Sequence, residues 1–128
     1  MGMTKITVEN YRDDKYYPKI VAAVARCLEH RSFVAPIDVF SEMGLLAPAD
    51  LARWKKGQVH YLERVIQCNL SKASRILQLI RFHAHDLNLG PSMTAYVFRK
   101  KPLRFSKTEV KALEDAYSRH FVMLGKSG

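Results

Sequence analysis

The middle of this chain has almost no acidic residues. Residues 51–107 contain only Glu63 and Asp86, although they hold twelve of the 21 basic residues of the chain. The net charge of this stretch is therefore +10, while residues 1–50 carry −1 and residues 108–128 carry zero. A local excess of this size indicates a polyanionic partner, which could be a nucleic acid or an acidic protein.

Cysteine and long apolar runs are also scarce. Cys27 and Cys68 each lie in an apolar pattern typical of a helix, which favours buried, reduced thiols over a disulfide framework. No apolar run approaches the roughly 20 residues needed to span a bilayer. The first residues also lack the apolar region of a secretion signal. We therefore expect a cytoplasmic protein without a membrane partner.

Apolar residues recur with the period of a helix along most of the chain. The pattern predicts helices over about residues 16–31, 36–43, 48–56, 59–69, 71–87 and 107–124. Asn69 and Ser71 favour a helix N-terminus, so the fourth and fifth helices are either separate or one long helix. Residues 94–98 and 103–105 favour strands, and residues 99–102 would form the turn of a β-hairpin.

These elements indicate a mainly α-helical fold, with five or six helices and one short β-hairpin before the last helix. We expect a single compact helical domain over residues 15–124. Residues 1–14 would be a flexible or weakly ordered arm and residues 125–128 a tail. The pair Ser106 and Glu109 fits a capping box at the start of the last helix.

The second and third predicted helices resemble the helix-turn-helix of bacterial repressors. The second ends at Met43-Gly44, an apolar turn follows, and the third ends in Arg53-Trp54-Lys55-Lys56-Gly57. The resemblance implies that an aromatic residue fixes the core while basic residues contact phosphate. We accordingly expect Trp54 to be buried. Two short helices that merely pack together are the alternative.

Two further basic groups complete the candidate surface. One is the hairpin turn, which suits contact with a sugar–phosphate backbone but would also keep an exposed hairpin soluble. The other is the polar face of the helix over residues 71–87, where the alternative is a solvated surface. The predicted nucleic-acid-binding residues are Arg53, Lys55, Lys56, Arg75, Gln78, Arg81, Arg99, Lys100, Lys101 and Arg104.

The composition favours a non-enzymatic nucleic-acid-binding protein, with duplex DNA preferred over RNA. The alternative is a protein-interaction module whose basic face binds an acidic partner. The scarcity of acids and the absence of a glycine-rich phosphate loop argue against catalysis. No metal or other cofactor is predicted, because His83 and His85 would point in different directions from a helix. Aromatic residues at 96, 98 and 105 could instead stack on a single strand.

Overall fold

The computed structural model describes residues 5–124 of the chain. In this range the α-helices are α1 (Tyr17–His30), α2 (Pro36–Glu42), α3 (Pro48–Lys55), α4 (Leu70–Asp86) and α5 (Lys111–Ser118). The strands are β1 (Phe33–Val34), β2 (Leu89–Met93), β3 (Val97–Phe98), β4 (Lys101–Pro102) and β5 (Arg119–Met123). Short 3-10 helices cover Tyr11–Asp13 and Leu62–Arg64. The predicted tail and the first four residues of the predicted arm lie outside the described residues.

The fold is mixed α/β, so the prediction of a mainly α-helical domain with one hairpin is wrong. Helices account for 50% and strands for 13% of the described residues. Strands β1, β5 and β2 form an antiparallel sheet with β5 in the centre. Strands β3 and β4 form the hairpin. The prediction therefore missed the whole three-stranded sheet.

The last predicted helix ends early because its second half fits a strand as well as a helix. Phe121 continues the apolar stripe of α5, but it pairs with Val34 of β1 and Pro91 of β2. Helix α5 therefore ends at Ser118, and β5 follows at once. The neighbours of β5 are hard to recognise, because β1 has two residues and β2 contains glycine and proline. Pro91 is tolerated because β2 lies at a sheet edge.

Helix α5 also begins later than the capping box predicts. The N–H of Glu109 does donate to Ser106 Oγ, at 3.0 Å. However, Glu109 has a φ of +59°, which turns the chain away from a helix. The N–H and hydroxyl of Ser106 both donate to the carboxylate of Glu114. The helix begins only at Lys111.

Residues 59–69 do not form the predicted fourth helix. The N–H groups of Leu62 and Glu63 donate to the carbonyls of Arg104 and Phe105, at 3.1 Å and 2.9 Å. These long-range bonds replace the local bonds of a helix, and only the 3-10 turn at Leu62–Arg64 remains. Val59, Leu62 and Ile66 of this segment are nevertheless buried, which explains why the apolar spacing imitates a helix.

The first three helices and α4 begin and end close to where periodicity predicts. Pro36 and Pro48 occupy the first turns of α2 and α3, where proline suits the backbone. The side chain of Asn69 caps α4 by accepting the N–H of Lys72 at 2.8 Å. Of the two possibilities at residues 69–71, the break is therefore correct.

The core is built around a central segment of residues 104–107. Phe105 stacks on Tyr117, with ring centroids 5.5 Å apart and planes 4° from parallel. It also packs against Trp54 at 5.0 Å. Trp54 is fully buried, as predicted, and its indole N–H donates to the carbonyl of Arg104 at 2.8 Å. Both polar and aromatic contacts thus fix the central segment.

Two carboxylates bind the backbone of the central segment. Glu63 is only 6% exposed, and it accepts the N–H of Lys107 at 2.8 Å and the hydroxyl of Tyr117 at 2.7 Å. Glu114 accepts the N–H of Ser106 at 2.6 Å. Burial, together with the bond to Glu63, raises the pKa of Tyr117. The central segment is therefore held between the 3-10 turn and α5.

Residues 5–14, which belong to the predicted arm, pack against the core. Ile6 and Tyr11 are buried. Asp14 forms an ion pair with Arg75 of α4, and these side chains are only 3% and 16% exposed. This pair ties the end of the segment to α4.

Glu63→Gln should lower the free energy of unfolding by about 1–3 kcal/mol, because its amide keeps only one acceptor oxygen, so either the N–H of Lys107 or the hydroxyl of Tyr117 loses its acceptor. Urea denaturation followed by Trp54 fluorescence measures the change. Glu109→Gln is the control, since this carboxylate is 66% exposed and lies 3.7 Å from Arg104. The control should change stability by less than about 0.5 kcal/mol. Equal effects of the two substitutions would contradict the role assigned to Glu63.

His120 links the three-stranded sheet to the segment before the hairpin. Its Nε2 lies 2.6 Å from the Tyr96 hydroxyl, and its ring stacks on Phe33 at 5.1 Å. Burial lowers the pKa of His120 below its usual 6.5. Because the folded state disfavours the protonated ring, the neutral ring stabilises the fold above about pH 6.5. That contribution is lost as the pH falls through the lowered pKa.

His120→Gln should therefore reduce the acid sensitivity of folding. We expect the wild type to lose more unfolding free energy between about pH 7 and pH 5 than the variant does, because the partly buried imidazole must gain a charge. Denaturation curves at both pH values give the two differences. His85→Gln, on an exposed position of α4, is the control and should keep the wild-type dependence. An unchanged dependence in His120→Gln would refute the assignment.

Candidate nucleic-acid interface

Two of the three predicted basic groups meet at one surface. Gly57 follows the C-terminal end of α3 with a φ of +71°, which suits glycine. It lies against Phe98 of β3, so closely that a Cβ at Gly57 would be 3.0 Å from the Phe98 ring. This contact brings the C-terminal end of α3, with Lys55 and Lys56, next to the hairpin.

The exposed basic residues of this surface form what we call the basic patch. Its members are Lys55, Lys56, Arg99, Lys100 and Lys101, which are all exposed. Within residues 5–124 none of them forms an ion pair. Arg53 lies one turn earlier on α3 and pairs with Asp50 at 3.0 Å. The patch therefore presents five uncompensated positive charges.

The hairpin turn is shorter than predicted, since Lys101 and Pro102 belong to β4. Its two central residues, Arg99 and Lys100, have φ values of 51° and 68°. Two consecutive positive φ values are typical of a type I′ turn, which favours Asn-Gly. A left-handed backbone costs a residue with a side chain about 1–2 kcal/mol. Two long basic side chains therefore occupy positions that disfavour them, which suggests a role outside folding.

Two of the predicted binding residues take part in contacts within the fold. The Arg104 guanidinium donates to the carbonyl of Ser106 at 2.8 Å and lies over the Tyr61 ring, 5.2 Å from its centroid. Arg75 forms the largely buried ion pair with Asp14. Both arginines are therefore engaged within the fold, unlike the residues of the basic patch.

The third predicted group lies in a groove between α4 and α5. Gln78 and Arg81 line a cavity of about 620 Å³ together with Leu113 and Arg119. No residue of the basic patch lines this cavity. The polar face of α4 is therefore one wall of a separate groove, and the structure joins only two of the three predicted groups.

The predicted aromatic stacking platform is largely part of the core. Phe105 is buried, and Tyr96 packs against both Phe105 and Trp54, at 5.3 Å and 5.6 Å. Phe98 is half-buried between Gly57 and the Arg99 guanidinium. The rings of Tyr96 and Phe105 are therefore engaged in packing within the fold.

Helices α2 and α3 pack mainly against other elements. Helix α2 contacts α1 and α5, whereas α3 packs through Trp54 against Tyr96 and Phe105. In the helix-turn-helix of bacterial repressors the two helices act as one unit on DNA. The surface of α3 that meets the hairpin is therefore the more informative feature here.

Among the histidines and cysteines, His83 and Cys27 are buried in the fold. His83 is buried, with its Nδ1 3.0 Å from the Tyr17 hydroxyl, whereas His85 is exposed. Both cysteines are free, and burial raises the pKa of Cys27 to about 11. In the described part of the chain no three His, Cys, Asp or Glu side chains are placed to hold a metal ion.

Comparisons with protein-family models, with curated proteins and with solved structures find no match for this chain. Between residues 5 and 124, no helix combines the length and apolar character that crossing a membrane requires. The basic patch and the groove are therefore the features from which a function can be inferred.

Replacing the turn with Arg99→Asn/Lys100→Gly should raise the free energy of unfolding by about 1 kcal/mol, because Asn-Gly fits a type I′ turn. Thermal and urea denaturation measure the change. Arg99→Ala/Lys100→Ala is the matched control, since it removes the same charges but keeps a Cβ at both strained positions. The control should not gain stability. A turn variant that is no more stable than the control would contradict the strain assigned to this turn.

Proposed function

We propose that this protein is a non-enzymatic nucleic-acid-binding protein that holds the backbone of duplex DNA on its basic patch. The observation that carries the proposal is the contact between Gly57 and Phe98. It joins the end of α3 to the hairpin, so two basic groups far apart in the chain become one surface. A single surface can contact several phosphates at once, and each contact releases counterions.

The chemistry of the patch favours phosphate over base edges. Its four lysines and one arginine supply only donors and positive charge, without an acceptor or an amide. Contacts of this kind fix the position of a protein on DNA but carry little sequence information. We therefore expect binding with little dependence on sequence.

Arg53 can add a sixth contact. Its ion pair with Asp50 joins two residues one helical turn apart, and the Arg53 side chain is 54% exposed. An exposed pair of this kind contributes only about 0–1 kcal/mol. Exchange of the Asp50 carboxylate for a phosphate therefore costs little.

We also propose a cytoplasmic location, where DNA would be accessible. The free thiols of Cys27 and Cys68 support this proposal, because reducing compartments keep thiols unpaired.

Binding to random-sequence duplex DNA should weaken with salt, with a log–log slope of about −4.5 if all five patch residues meet phosphates. Arg99→Asn/Lys100→Gly and Arg99→Ala/Lys100→Ala should both bind more weakly, with slopes shallower by up to about 1.8. The two variants differ in stability but not in charge. An equal loss of affinity therefore assigns the effect to charge. Fluorescence anisotropy over a salt series gives these values.

Lys15→Gln/Lys19→Gln is the charge-matched control, because it removes two exposed lysines near the start of α1. It should retain most of the affinity and the wild-type slope. No binding at about 50 mM salt and micromolar protein would reject the proposal. A slope reduced equally by the control would show that total charge, and not the patch, attracts DNA.

A further inference from the structure

A continuous groove separates α4 from α5. Its larger cavity, of about 620 Å³, has an apolar floor that includes Leu77, Leu113 and Phe121. A second cavity of about 510 Å³ extends the groove and shares Ser74, Gln78, Thr108 and Leu113 with the first. Helix α4 lines the two cavities from Leu70 to Arg81, a distance of about 16 Å along its axis. The larger volume alone falls in the range of small-molecule sites.

The charges around the groove do not balance. At the β5 end, Asp115 is neutralised by Lys111, at 2.9 Å. Arg81 and Arg119 line the same cavity, and within residues 5–124 neither forms an ion pair or donates a side-chain hydrogen bond to an acceptor. This end of the groove therefore carries two uncompensated guanidinium groups.

The opposite end has a different character. Arg75 lines the second cavity, but its charge is offset by Asp14. Glu63 also lines that cavity, and its carboxylate already accepts from Lys107 and Tyr117. An anionic group would be repelled there and attracted to the β5 end. The two ends of the groove therefore differ. The β5 end suits an anion, and an apolar floor extends from there along the groove.

From this arrangement we infer that the groove binds a single-chain aliphatic carboxylate. The head group lies between Arg81 and Arg119, whose planar guanidinium groups match the geometry of a carboxylate. The hydrocarbon chain lies along Leu77 and Leu113, where it removes apolar surface from water. A short carboxylate lacks the hydrocarbon chain that contacts the apolar floor. A cationic amphiphile lacks the carboxylate that binds the two arginines.

Calorimetric titration of the full chain with decanoate, below its micellar concentration, tests this inference. We expect saturable binding of one decanoate per chain, and octanoate should bind up to roughly tenfold more weakly because it buries two fewer methylenes. Acetate and decyltrimethylammonium should show no saturable binding. Absence of saturable decanoate binding, or equally tight binding of decyltrimethylammonium, would overturn the inference.

Two variants locate the site. Arg81→Gln/Arg119→Gln should weaken decanoate binding at least about tenfold, because both donors to the carboxylate lose their charge. Ala112→Trp should abolish it, since Ala112 is exposed on α5 and its side chain lines the larger cavity. Circular dichroism checks that both variants fold. Decanoate binding that survives Ala112→Trp unchanged would place the ligand elsewhere and refute the proposed site.

Matched controls separate this site from the basic patch. Lys15→Gln/Lys19→Gln removes the same charge as the arginine variant, and Ala25→Trp adds the same indole at an exposed position of α1. Both should bind decanoate like the wild type. Arg99→Asn/Lys100→Gly should also bind decanoate normally while its affinity for duplex DNA falls. The proposed carboxylate site in the groove and the proposed DNA binding by the basic patch can therefore be refuted independently of one another.

Discussion

The fold depends on the hydrogen bonds that one extended segment donates to two carboxylates. Residues 104–107 belong to no strand, and Phe105 and Ser106 are buried in the core. Glu63 and Glu114 accept the N–H groups of Phe105, Ser106 and Lys107, and the Trp54 indole donates to the carbonyl of Arg104. Phe105 and Ser106 are buried, and a buried N–H without a partner costs about 1–3 kcal/mol. This arrangement converts an irregular segment into a rigid connection between the hairpin and α5.

The same connection determines where the two candidate sites lie. The hairpin of the basic patch lies just before residues 104–107 in the chain. Thr108 and α5 follow these residues and form one wall of the groove. Glu63 and Asp86, which are the only acids of residues 51–107, both serve the fold. Glu63 binds the central segment and Asp86 binds Tyr11 and Arg12. Neither therefore offsets the charge of the basic patch.

Local patterns were sufficient for α1 to α4, because their stripes, prolines and the Asn69 cap act within a few residues. They failed where a distant partner supplied the hydrogen bonds. Residues 59–69 have helical spacing, but the N–H groups of Leu62 and Glu63 donate to the carbonyls of Arg104 and Phe105 instead. Phe121 fits a helical stripe, but it pairs with β1 and β2 in a sheet. The short β1, with two residues, and β2, with its glycine and proline, offered no local signal of that sheet.

For the candidate sites, the sequence by itself determined the charge excess, the burial of Trp54 and the hairpin with its basic turn. Only the tertiary structure decided which basic residues act together. It joined the end of α3 to the hairpin through Gly57, and it engaged Arg75 and Arg104 within the fold. It also made one face of α4 into a groove. The physical reason is that charge is a property of residues, whereas its neutralisation depends on neighbours that the chain brings together only when it folds.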